Sequence, residues 1–154
     1  MSEITKPMRE SYVEMTEVVL PNDANPHGTM FGGRIALWVD IAGSVSAVRH
    51  ARMPVVTASM GQLDFLSPVK VGQIVILKSR VIYVGHSSLE VLVEIFSEDP
   101  LSGNRQHTGT ANLTYVAIDS AGNKVRVPRL IAETEEEKKL YKIGESRALS
   151  RKKA

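Results

Sequence analysis

The segment RIALWVDIAGSVSAVRH, running from Arg34 to His50, decides the fold. It contains no proline and is apolar on almost every side, which predicts a long helix buried in the interior rather than lying on a surface. The flanking text supplies what would surround it. Upstream, YVEMTEVVL from Tyr12 to Leu20 is rich in β-branched residues and stops at Pro21, which predicts a strand. Pro21 to Gly33 is a loop of Asn, Asp, Pro and Gly. Downstream come four strand-like runs: Val55 to Ser67, Gln73 to Val84, Ser88 to Glu98 and Gln106 to Asp119. In the third, Leu89, Val91, Val93 and Ile95 alternate with Glu90, Glu94 and Glu98, the pattern of a sheet with one wet face. Glu133 to about Ile143 reads as a short charged helix, and the ending ALSRKKA as a frayed tail. The order predicts an α+β domain over 8–120, an antiparallel sheet curled around one helix, followed by an extension over 121–154. Five strands around one helix leave an edge strand open, and open edges invite pairing between copies.

Composition narrows the function. The 154 residues contain no cysteine, so disulfides, thiolate metal sites and a cysteine nucleophile are excluded. No run of 18 apolar residues exists, and Met1 to Glu10 lacks the apolar core of a secretory signal, so a membrane is not expected as a partner and a cytoplasmic location is. The net charge of +2 sits in the tail, where seven Lys/Arg face five Glu from Glu133 onward. The rest of the chain is balanced and offers no support for nucleic-acid binding.

Several motifs fail on inspection. Gly28-Thr29-Met30-Phe31-Gly32-Gly33 is followed by Arg34 and Ile35, not by the Lys and Ser/Thr of a phosphate-binding loop. No Gly-x-Ser-x-Gly elbow is present. His27, His50, His86 and His107 match no zinc spacing, so no metal is expected.

One carboxylate stands out. Asp40 lies inside Leu37-Trp38-Val39-Asp40-Ile41-Ala42 and is the sole acid between Asp23 and Asp64. An isolated buried charge is costly unless it is paired or used. It is either a structural aspartate paired with Arg34, Arg49 or a backbone amide, or a reacting group. Gly32-Gly33, just before the helix, either relieves crowding or leaves free amides that bind an oxyanion at the positive end of the helix. Gly33 and Asp40 are seven residues apart, close to two turns, and so share a helix face. A carboxylate can activate water or attack a carbonyl, so no Ser or Cys is required.

The stretch Asn25-Pro26-His27-Gly28-Thr29-Met30-Phe31-Gly32-Gly33-Arg34-Ile35-Ala36-Leu37-Trp38-Val39-Asp40 resembles the N-P-x-G-x-x-F-G-G signature of the acyl-CoA hydrolase family with hot-dog domains. Val55-Val56-Thr57-Ala58, Phe65-Leu66-Ser67-Pro68-Val69-Lys70-Val71-Gly72 and Gly85-His86-Ser87-Ser88 resemble it too, in the right order. The resemblance implies a fatty acyl-CoA thioesterase working without a cofactor, coenzyme A being part of the substrate. It implies Asp40 as base or nucleophile and the Gly33 amide as oxyanion donor. It implies dimers with the active site between subunits, and a hexamer built as a trimer of dimers. A polar residue across the interface is also implied. Thr29 stands where some relatives carry Asn or Asp, and Asn25 is the next candidate, its other role being to cap the turn before Pro26. Gly32, His27, Thr57 and Ser59 are substrate-binding candidates. For the coenzyme A phosphates, which need cations or amides, the candidates are Lys70, Lys78, Arg80 and the turn of Gly85, Ser87 and Ser88.

Two rival readings remain. Asn22-Asp23-Ala24-Asn25-Pro26-His27 partly matches the D-x-N-P-hydrophobic-H loop of hot-dog hydratases and dehydratases, without the intervening hydrophobic residue. A non-catalytic acyl-CoA sensor is the other, although neither end of the chain holds room for a helix-turn-helix.

Overall fold

The computed structural model describes residues 4–153. In chain order the elements are β1 (Thr5–Pro7), β2 (Val13–Val18), α1 (Gly32–Ala51), β3 (Val55–Phe65), β4 (Ile74–Val84), β5 (Ser88–Glu98), β6 (Arg105–Ala117), β7 (Arg129–Ile131) and α2 (Glu135–Lys153), with short 3-10 turns at Met8–Ser11 and Pro21–Asp23. β2, β4, β5, β6 and β3 form one antiparallel sheet in that spatial order, and β1 pairs in parallel with β7 as a small separate ribbon.

α1 takes in both glycines that the sequence places in the preceding loop. Phe31 is extended, and the Arg34 and Ile35 amides donate to its carbonyl at 3.1 and 3.3 Å, which starts the helical ladder. The helix ends where Arg52 turns left-handed (φ 51°) and donates to the Val48 carbonyl at 2.7 Å. Pro54 follows and cannot extend a helix.

One side of α1, carrying Ile35, Trp38, Val39, Ala42 and Ala47, packs on the inner face of the sheet against Val75, Leu77, Val91, Val93, Leu113 and Tyr115. A hydroxyl pair, Ser46 with Ser79 at 2.7 Å, ties the helix to β4 inside this core. The expectation of a helix buried on all sides is corrected here. Leu37, Ile41, Val45 and Val48 are each 36–47 % exposed, and their spacing puts them on one stripe. The sheet covers one side of an apolar helix, and a single chain supplies no cover for the other.

β3 borders that open stripe. It is the edge strand, exposed along most of its length, with Asp64 as its one charged residue. The opposite edge, β2, carries Glu14 and Glu17, the kind of charge that discourages strand addition.

The outer face is not wet throughout, contrary to the alternation in β5. α2 lies across it against β4 and β5 and leaves Glu90 only 3 % exposed. Arg151 of α2 (2.9 Å) and the Thr114 hydroxyl (3.1 Å) both donate to one Glu90 oxygen, which stabilises the buried carboxylate. α2 has 19 residues, so the segment read as a frayed tail is helical as far as Lys153, Ala154 lying outside the described residues. Its start follows from a capping box: the Glu137 amide donates to the Thr134 hydroxyl, and the Glu137 carboxylate accepts from the Glu133 and Thr134 amides. Gly144 seats it, because a methyl group there would lie 2.6 Å from Tyr83 Cβ and 3.1 Å from Ile82.

Candidate active site

The loop before α1 is built by Asn25. Its amide oxygen accepts from the His27 and Thr29 backbone amides at 2.9 and 3.3 Å, and its Nδ2 donates to the Thr29 hydroxyl at 2.8 Å. Gly28 closes the Asn25–Gly28 turn through a bond to the Asn25 carbonyl at 3.0 Å, with φ at +81°, a conformation glycine accepts readily. Met30 donates to the Val69 carbonyl at 2.7 Å and Phe31 to the Asp23 carbonyl at 2.9 Å, which aims the chain into α1. Within one chain Asn25 and Thr29 thus bond each other, and His27 is exposed at the turn without touching Asp40.

At the helix start, a methyl group on Gly32 or Gly33 would meet nothing within 4 Å. Relief of crowding inside the chain is therefore not why glycine stands there. Among the described residues neither of these two amides has a backbone partner. A groove of about 410 Å³ opens beside them, lined by Gly32, Met30, Ile35, Phe65, Leu66 and Pro68, most of them apolar.

Asp40 is half-buried, and both of its recorded donors converge on one oxygen. The Thr57 hydroxyl donates to Oδ1 at 3.0 Å and the Tyr115 phenol at 2.8 Å. Thr57 and Tyr115 are direct cross-strand partners in β3 and β6, so their side chains reach the same face of the sheet. Burial, then the hydrogen bond and negative charge of Asp40, push the Tyr115 phenol far above its ordinary value, so it stays a donor. Among the described residues nothing donates to Asp40 Oδ2. Neither arginine weighed as a structural partner is spent on this carboxylate. Arg34 pairs with Asp23 at 3.2 Å, and Arg49 donates to the Tyr12 carbonyl at 2.7 Å.

Gly33 and Asp40 of one chain do not reach the same carbonyl. Seven residues of helix separate them by roughly 10 Å along the axis, too far for one thioester carbon.

The other binding candidates are not gathered at Asp40. A β-bulge between Thr57 and Ser59 shifts the alternation, so Ser59 stands opposite Thr114 and lines a different hollow, beneath α2 with Arg147 and Arg151. Arg80 pairs with Glu136 of α2 at 2.9 Å, and Lys78 faces Glu14 at 3.9 Å. The Gly85–Ser88 turn closes through the Gly85 amide on the Ser88 carbonyl at 2.9 Å. Its Ser87 carbonyl accepts from Ala117 at 2.9 Å and its Gly85 carbonyl from Arg129 at 2.7 Å. Tyr115 is absent from the sequence reading. Two signals pointed to it: a tyrosine on the core side of a strand, whose hydroxyl needs a partner, and a glycine, Gly43, inside a helix. Among the described residues no cluster of three or more His, Asp or Glu side chains is placed to hold a metal ion.

One long helix laid against a five-stranded antiparallel sheet, carrying a carboxylate fixed by two strand hydroxyls, defines a hot-dog domain with a candidate hydrolytic site. The family model described as "Thioesterase superfamily" matches residues 27–103, and the chain belongs to that superfamily. It is 45% identical over 148 residues to the uncharacterised acyl-CoA thioester hydrolase YkhA of Bacillus subtilis, spanning 96% of this chain and 86% of that one. It superposes on a hexameric apo acyl-CoA thioesterase with a TM-score of 0.93 at 39% identity, covering 97% of this chain and 96% of that one. It also superposes on the acyl-CoA hydrolase of Staphylococcus aureus in complex with butyryl coenzyme A and coenzyme A, with a TM-score of 0.90 at 37% identity, covering 96% and 90%. The staphylococcal enzyme has further been solved with an asparagine, an aspartate or a threonine replaced by alanine, the three standing fifteen and then seventeen residues apart.

Proposed function

We propose that this chain is an acyl-CoA thioesterase that hydrolyses a fatty acyl-CoA to the free acid and coenzyme A, with Asp40 as its reacting carboxylate. The observation that carries the reading is Asp40 itself, held through Oδ1 by two hydroxyls with Oδ2 left open. Acting as a base, Oδ2 takes a proton from water as the water oxygen bonds to the acyl carbon. The C–S bond then breaks, and the departing sulfur takes the proton back. Acting as a nucleophile, the same oxygen would bond to the acyl carbon as the C–S bond breaks and the thiolate leaves, and water would then cleave the mixed anhydride to the free acid and restore Asp40. Both routes need the ionised carboxylate. The thioester oxygen, negative in the intermediate, needs donors, and the amide of Gly33 at the positive end of α1 supplies one.

Since a single chain holds Gly33 and Asp40 roughly 10 Å apart, the productive site takes Asp40 from one subunit and Gly33 from the next. The open apolar stripe of α1 and the exposed edge of β3, with Asp64 as its one charged residue, support such a dimer. A trimer of dimers agrees with the hexameric relative. Asn25, Asp40 and Thr57 stand at the two spacings that separate the substituted residues of the staphylococcal enzyme. That match supports Asn25, rather than Thr29, as the polar group contributed across the interface. The groove of Met30, Ile35, Phe65 and Leu66 at the helix start suits part of an acyl chain. The reaction needs no cofactor beyond the coenzyme A of its substrate. No helix among the described residues is long and apolar enough to cross a membrane.

Thiol release from a panel of acyl-CoAs tests the reading. Turnover by the native chain, lost in Asp40→Asn and unaffected by a chelator, is the expected result. Hydration of an enoyl-CoA without thiol release would favour the hydratase, and tight acyl-CoA binding without turnover the sensor.

A further inference from the structure

We propose that Tyr115 is the positioning residue that holds one oxygen of Asp40 and so leaves the other to react, and that Gly43, by lacking a side chain, lets it do so. The proposal rests on the reading of Asp40 as the reacting carboxylate. Tyr115 sits in β6 between two neighbouring strands, fully buried beneath α1. Its phenol lies 2.8 Å from Asp40 Oδ1 and 3.0 Å from the Asp40 backbone carbonyl, so its one proton is shared between side chain and helix backbone. Thr57 adds a second hydroxyl to the same Oδ1. Twisting the carboxylate out of its plane would stretch both side-chain bonds, so one oxygen is held while the other, Oδ2, has no donor among the described residues. The two anchors are not equal. Thr57 is on the exposed edge strand, whereas Tyr115 has a rigid ring locked in the core.

Gly43 follows Asp40 by one turn of α1. A methyl group there would lie 2.5 Å from the Tyr115 hydroxyl oxygen and 3.2 Å from Cζ, so the fully buried ring would have to shift. Glycine weakens a helix interior. Here the approach of the phenol accounts for it, because any larger residue would push the hydroxyl away from Asp40.

The test compares steady-state kinetics of Tyr115→Phe, Gly43→Ala, Asp40→Asn and the double variant Asp40→Asn/Tyr115→Phe, with melting curves for each. A hydrogen bond to a charged group is worth roughly 10- to 100-fold when its loss is read as rate. Tyr115→Phe is expected to lose kcat by that factor with KM within about twofold, the split expected of a group that acts on the carboxylate and not on binding. Gly43→Ala is expected to lose kcat similarly although both partner side chains remain. In the Asp40→Asn background the tyrosine change is expected to have no further effect on residual turnover. Native kcat in Tyr115→Phe overturns the proposal, as does an equal proportional loss with and without the carboxylate. If Tyr115→Phe fails to fold, native kcat in Gly43→Ala overturns it. An inactive Asp40→Asn beside fully active Tyr115→Phe and Gly43→Ala sinks the positioning role alone, whereas an active Asp40→Asn sinks the reading of Asp40 and this proposal together.

Discussion

Asp40→Asn separates chemistry from structure at a single position. The asparagine oxygen can accept the Thr57 and Tyr115 hydroxyls as Asp40 Oδ1 does, so the local geometry should hold. The melting temperature should stay level or rise, while kcat falls by about 10²–10⁴, the usual worth of a general base. Turnover near native with a lowered melting temperature would mark a structural aspartate instead. A second residue-scale effect concerns His50. It is fully buried, with Nε2 2.8 Å from the Pro128 carbonyl and Nδ1 without a partner among the described residues. Burial, more than any neighbouring charge, lowers its pKa below the ordinary 6.5. The folded state therefore favours the neutral ring. That contribution is present above the ordinary histidine value and is lost as pH falls below it toward the folded value, where the unfolded chain binds the extra proton. Melting curves between neutral pH and pH 5 should drop for the native chain, and more shallowly for His50→Gln. Asp40 was legible in the sequence because it is one acid in an apolar helix. Tyr115 was legible only as a core tyrosine in need of a partner, because its meeting with Asp40 depends on the register between β6 and β3, which no local pattern encodes.

At the scale of elements, periodicity located α1 and the five strands of the main sheet to within a few residues, since burial on one face leaves a repeat in the text, but not the short β1 and β7. Bulges and covering elements leave no such repeat. The bulge after Thr57 sends Ser59 to the other side of the sheet, and the burial of Glu90 depends on α2, whose charged sequence resembles a solvated helix. The Thr134–Glu137 capping box was in the sequence to be read, whereas Gly144 gave no sign of its role. Gly144→Ala makes that role measurable. Helix propensity alone predicts a gain of about 1 kcal/mol. The contact with Tyr83 and Ile82 predicts a loss of about 1–3 kcal/mol from overpacking instead. Thermal unfolding should show a lower melting temperature, and a higher one would mean that α2 is not seated on β4 as described.

At the scale of the whole molecule, one chain leaves its apolar helix stripe open and holds Gly33 and Asp40 roughly 10 Å apart. Placing charge on the stripe, as in Ile41→Glu, should yield monomers in sedimentation and lose thiol release together, with Asp40 still in place. Complementation decides whether Asp40 of one subunit works with Gly33 of another. Gly33→Pro removes the amide proton while remaining compatible with the first turn of a helix. Asp40→Asn and Gly33→Pro should each be inactive alone. Co-expressed, they should recover roughly a quarter of native activity per subunit, because statistical pairing makes half the dimers mixed and each mixed dimer holds one intact site of two. A mixture that forms mixed dimers and yet stays as inactive as its parents would contradict the shared site.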